Sequence, residues 1–182
     1  MNNKNRYRSG EDGYNLVEVL IAMALMGTVL MSIMGLFYFG RRNVYSGKEM
    51  TQAVAVGTHV LEDLNTTTKD GIVAAFALPA TAGTSNIVGG QTFANSFVRT
   101  TDTISAATDP KGFLQRWKDE MVNDNKFQSG AVTIVFTPTA DGTNTPPQMA
   151  TSTVVKMRVF VTWGESVRAR QVVLDSVKIE RQ

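Results

Sequence analysis

The stretch Gly13-Tyr14-Asn15-Leu16-Val17-Glu18-Val19-Leu20-Ile21 decides how the rest of the chain is read. It closes a short polar leader and opens a long apolar run. Across residues 14–39 almost every side chain is apolar or small, and Glu18 carries the only charge. A helix of about 26 residues is long enough to cross roughly 30 Å of hydrocarbon. A carboxylate inside such a run costs roughly 3 kcal/mol or more to insert. An acid in that position marks a candidate functional site, and Glu18 lies one helical turn from Tyr14.

The chain has 182 residues, 18 basic and 16 acidic, for a formal charge of +2. That length fits one soluble domain plus an anchor. Charge so near balance gives no reason to expect a polyanionic partner, and no nucleic acid is expected. There is no cysteine, which removes disulfides, thiolate catalysis and Cys-ligated zinc together. His59 is the sole histidine, so one subunit cannot build a His-based metal cluster or a triad. No nucleophile–base pair, phosphate loop or metal-ligand cluster stands out. The expectation is a non-enzymatic chain with no metal and no cofactor.

Residues 1–13 carry Lys4, Arg6 and Arg8, then Ser9-Gly10-Glu11-Asp12-Gly13. A secretory signal has basic residues, an apolar core of about 7–15 residues and then a small-residue cleavage site. Here the glycine precedes the apolar run, and the run is longer than a signal core. The basic leader favours a cytoplasmic N-terminus, against which Arg41 and Arg42 flank the far end. An uncleaved signal anchor is the plain alternative.

Gly13 followed by Tyr-Asn-Leu-Val-Glu-Val-Leu-Ile-Ala resembles the class III signal of type IV pilins and type II secretion pseudopilins. In that family a prepilin peptidase cuts after the glycine on the cytoplasmic face and methylates the new amine. The resemblance implies cleavage between Gly13 and Tyr14, N-methylation of Tyr14, and Glu18 as the fifth mature residue. Tyr14 replaces the family's usual Phe, and Asn15 its usual Thr. Glu11 and Asp12 are unusual beside a site that often has basic neighbours. The strong likeness covers the first third of the chain.

Glu18 read by itself is either a tolerated acid near the interface or half of a charge pair. At low dielectric a carboxylate and an ammonium attract strongly, while each alone is penalised. The resemblance implies the cation: the N-terminal amine of an assembled neighbour. The pair then sets axial register as a subunit leaves the bilayer.

Beyond Phe39 the pattern becomes amphipathic. Val44, Ala53, Val54, Gly57, Val60, Leu61 and Leu64 recur at helical spacing among charged residues. One helix over residues 14–64 would be about 75 Å long. Arg41 and Arg42 mark the junction and are expected to meet lipid headgroups. Gly27 and Gly35 suit close helix packing, and the four methionines Met23, Met26, Met31 and Met34 adaptable packing. His59 reads as a helix-surface or partly packed residue.

The boundaries expected are a cleaved leader over 1–13, a transmembrane and assembly half of the helix over 14–40, and an amphipathic half over 41–64. A connecting loop over 65–96 follows, with a short helix near residues 72–77, and then a sheet domain over 97–182. Strands are expected over 97–104, 131–137, 153–163 and 168–179. Asp109-Pro110 starts a short helix whose apolar side is Phe113, Leu114, Trp117 and Met121. Val155, Met157, Val159, Val161 and Trp163 alternate with polar residues in the clearest strand. Gly164-Glu165-Ser166 is a hairpin-sized gap. Asp141 with Asn144 is too sparse for a calcium loop. The fold class is α+β: a long N-terminal helix packed on an antiparallel sheet of about four strands, the pilin architecture. The closing hairpin with a Trp near its turn resembles PilV-like minor pilins and GspI-like minor pseudopilins.

The resemblance implies a minor pilin of a type IV pilus priming or tip complex. Implied partners are other minor pilins, the major pilin, a tip adhesin, the prepilin peptidase and the bacterial inner membrane. The implied path runs from single-pass inner-membrane precursor to periplasm and pilus surface. Within the family a minor pseudopilin of type II secretion is the second reading and a major pilin the third; outside it, the alternative is an unprocessed membrane-anchored binding domain.

Overall fold

Helix α1 occupies Leu16–Thr66, 51 residues with no proline to interrupt its hydrogen-bond ladder. The computed structural model describes residues 16–124, 127, 129–139, 146–164 and 169–180. The chain divides into two units, Met1–Gly47 and Lys48–Gln182.

In the first unit the apolar side chains of α1 are exposed, Leu20, Met31 and Phe37 among them. The helix contains an 18-residue window of mean hydropathy 2.3, none of it buried. Apolar residues on all sides of a helix with no protein around them suit lipid rather than water. This is the one candidate membrane span among the described residues. Thr28 and Ser32 return their hydroxyls to the carbonyls of Leu25 and Thr28, at 2.8 and 2.9 Å. Their polar groups are therefore satisfied inside the helix, as a hydrocarbon setting requires.

In the second unit α1 buries Ala53, Val56, Gly57, Val60 and Leu64. These lie at spacings of three and four, which is one face of a helix. Val44 and Val54 do not join them, and both are exposed. The face through Ala53 and Val60 takes in Val56 instead. At Gly57 helix and sheet come close: a Cβ there would stand 3.2 Å from Val161 and closer still to the tip of Leu174.

Helix α2, Lys69–Ala75, follows at once, with Thr68 accepting from the Gly71 amide as its N-cap. The strands are β1 (Thr84–Val88), β2 (Gln91–Thr100), β3 (Ala131–Pro138), β4 (Val154–Trp163) and β5 (Arg170–Ile179). They form one antiparallel sheet in the order β1-β2-β3-β4-β5. The sequence reading expects about four strands; among the described residues the sheet has five. The extra one, β1, lies in the stretch read as a connecting loop. Its run of Thr, Ser and Asn hides it from an apolar-alternation test, but its turn is legible. Gly89 and Gly90 both have positive φ, 57° and 77°, and join Val88 to Gln91 as a two-residue hairpin.

Helix α3, Phe113–Asp119, begins later than Asp109-Pro110 suggests, because Gly112 breaks the backbone at φ 72°. Asp109 still serves the helix, accepting from the Gln115 amide at 3.1 Å. A π-helical turn, Glu120–Asp124, extends it. Glu165, Ser166, Arg168, Asp141 and Asn144 lie outside the described residues.

The main core lies between the helices and the inner face of the sheet. Val56, Val60 and Leu64 of α1 meet Phe76, Leu114, Trp117 and Met121, and Ile134, Phe136, Met157, Val159 and Val161 of the sheet. The outer face has its own small packing. Strand β2 turns at Asn95, where φ is 49°, so its first half pairs with β1 and its second half with β3. The β1–β2 hairpin thereby reaches over the outer face. The Phe93 ring packs edge-on against Phe160 at 5.9 Å, and Phe160 and Val135 are buried there.

Candidate functional site

The first unit holds the residues singled out as assembly sites. Glu18 stands in the first turn of α1. Arg41 and Arg42 follow an uncharged stretch, residues 19–40, which spans about 33 Å along a helix. That matches a hydrocarbon thickness, so the three charges bracket the span. It also means that neither arginine of the same helix reaches the Glu18 carboxylate. Any cation that pairs with Glu18 in lipid comes from outside the span. Gly13 and Tyr14 lie outside the described residues.

The far end of the span is built for an interface. Arg41 donates to the Tyr45 hydroxyl at 3.3 Å, and its guanidinium lies 5.4 Å from the centre of that ring. Phe37, Tyr38 and Phe39 precede the pair, and all three are exposed. Aromatic rings beside basic residues are the usual furnishing of a membrane surface.

Within the second unit, polar clamps tie the last turns of α1 to the other elements. Asp63 accepts from Arg116 and from the Trp117 indole at 2.9 Å. One turn earlier, His59 Nδ1 stands 2.8 Å from Glu120 Oε2. Glu49 accepts from Trp163 Nε1 at 3.4 Å and from Arg170 at 3.2 Å. At the other end, Lys178 donates to the carbonyls of Asn65, at 2.6 Å, and of Thr67. The buried Lys69 bonds the Ala150 and Ser152 carbonyls at 3.3 Å and Glu180 at 2.5 Å. A half-buried cation, Arg99, holds the Phe76 and Ala77 carbonyls at 2.8 and 3.1 Å. Its burial pulls its pKa below the usual arginine value.

Chemically these are structural bonds. Each carboxylate in them is satisfied by a neighbouring donor, and each aims at another element of the fold. Among the described residues no group of three or more His, Asp and Glu could hold a metal. Trp117 is wholly buried and stacks on Phe76 at 5.8 Å, so it is a packing residue. His59 is half exposed on its helix, as the spacing suggests. Glu49, Asp63 and Lys178 carried no signal in the sequence beyond being polar. Asp63 and Arg116 are 53 positions apart, and nothing local announces their pairing.

Comparison with family models, with curated proteins and with solved structures gave no significant match to this chain.

Proposed function

We propose that the chain is a minor pilin: a non-catalytic subunit of a type IV pilus priming or tip complex, held in the inner membrane before assembly. One observation carries this reading: an acid five positions after Gly13 heads an uncharged stretch of bilayer length. The long helix bearing an antiparallel sheet domain is compatible with it. In this reading the peptidase cuts after Gly13, methylates Tyr14, and leaves Glu18 to pair with the amine of a neighbouring subunit. Arg41 and Arg42 rest among headgroups until the subunit is extracted.

The test is the N-terminal residue of the mature protein, produced with a prepilin peptidase and read by mass spectrometry. A methylated Tyr14 supports the proposal. An intact Met1 sinks it and leaves the anchored binding domain. Co-purification with pseudopilins and a secretin, in place of minor pilins and an adhesin, would move the chain to type II secretion.

A further inference from the structure

We propose that the half of the sheet's outer face left uncovered among the described residues is a docking groove for an extended acidic segment of another protein. The segment places a carboxylate on Lys156 and apolar side chains over Val177 and Ile179. The inference stands on the sheet alone and does not depend on how the apolar helix is read.

The register puts the outer face in rows across the sheet. Thr133, Phe160 and Val173 form one row, and Val135, Arg158 and Asp175 the next. The β1–β2 hairpin packs Phe93 against Phe160 and Arg158 of these two rows. Thr137, Lys156 and Val177 form the third row, and Val154 with Ile179 the fourth. The hairpin does not reach them. A groove of about 250 Å³ opens where cover ends, between Phe93 and Val177, with Lys156 at its rim. That is below the roughly 300–1,000 Å³ of a small-molecule site. It suits a side chain of a docking segment better than a whole cofactor.

Charge selects the occupant. Arg158 is consumed: Asp175 takes it with both carboxylate oxygens, Gln91 accepts from it at 2.7 Å, and it lies 5.5 Å from the Phe93 ring centre. The Asp175 bonds hold the Arg158 pKa above its usual value. Glu180, just past the end of β5, is taken by Lys69. Among the described residues no carboxylate is left to meet Lys156, which is exposed. The groove therefore presents one uncompensated positive charge beside an apolar wall.

Shape selects it too. Val177 and Ile179 are 52% and 67% exposed and continue the apolar wall along β5. Strand β5 ends the sheet order, so no other strand covers its outer edge among the described residues. An extended chain running along that edge would bury both side chains with every second residue.

The probe is a labelled octapeptide, Ser-Val-Ser-Val-Ser-Glu-Ser-Glu, which presents valines and glutamates together on one face of an extended chain, with a counterpart that has lysine in place of glutamate as control. Each is titrated by fluorescence anisotropy into the full chain in detergent micelles. The acidic peptide should saturate and bind at least about tenfold tighter than the basic one. Lys156→Glu should reverse that order. Lys156→Gln, which keeps the shape, should weaken the acidic peptide alone, and thermal unfolding should be unchanged in both variants. Equal binding of the two peptides, no binding of the acidic one, or an affinity indifferent to Lys156→Gln would overturn the proposal. So would competition by free glutamate at the peptide's own concentration, which would make this a small-anion site.

Discussion

The ammonium of Lys178, near the end of the last strand, lies 2.6 Å from the carbonyl of Asn65, at the end of the first helix. A helix leaves its final carbonyls without partners, and a cation there also meets the negative end of the helix dipole. Lys178 serves several of them at once, Leu64, Asn65 and Thr67. The last strand thus caps the first helix.

Lys178→Met keeps most of the length of the side chain and removes the donor. Loss of the cap should lower the stability of the second unit by about 1–2 kcal/mol. Chemical denaturation of the full chain in detergent measures it. An unchanged midpoint would mean that solvent serves those carbonyls equally well.

Asp63 and Trp117 should behave as a coupled pair. Trp117→Ala opens a cavity beneath Phe76 and should cost about 3–5 kcal/mol. Asp63→Ala leaves the buried indole N–H without an acceptor and frees Arg116, for about 1–3 kcal/mol. In the double variant the two losses should sum to less than their separate values, because they share one bond. Strict additivity in a double-mutant cycle would contradict the bond.

Gly83 is a test of the bent strand. A Cβ there would stand 2.5 Å from the Asn95 backbone carbon and 2.6 Å from the Ser96 nitrogen, with no flexible tip to give way. Gly83→Ala should therefore loosen the β1–β2 hairpin, at a cost of about 1–3 kcal/mol. Amide exchange should rise in β1 and the first half of β2 while β4 keeps its protection.

Two variants test the proposed minor-pilin role. Glu18→Ala removes a charge from the span, so membrane insertion should be at least as efficient as before. Incorporation into the assembled complex should fall, as read by immunoblot of sheared pili. Normal incorporation would defeat the charge pair. Gly13→Phe should leave an uncleaved precursor in the inner membrane, and a mature product of normal size would remove Gly13 as the cleavage position.

Much of this architecture is written locally. The alternation in β4 announces its buried face: Val155, Met157, Val159, Val161 and Trp163 are all buried. The same holds for the face of α1 through Ala53, Gly57, Val60 and Leu64. Val56 shows the limit of that reading, since a face two residues wide shifts by one position without changing its period. Strand β1 shows another. Its polar residues cover a sheet edge rather than fill a core, and only its Gly-Gly turn betrays it.

The sequence by itself determined the uncharged span, the acid and arginines that bracket it, and the alternation of the last strands. These are properties of neighbours along the chain, set by side-chain chemistry and by the helix and strand periods. Only the tertiary structure decided that Lys178 caps α1, that Asp63 holds Arg116 and Trp117, and that Lys156 has no counter-ion among the described residues. Such pairings depend on which distant groups the fold brings within hydrogen-bond reach, and no local pattern encodes that distance.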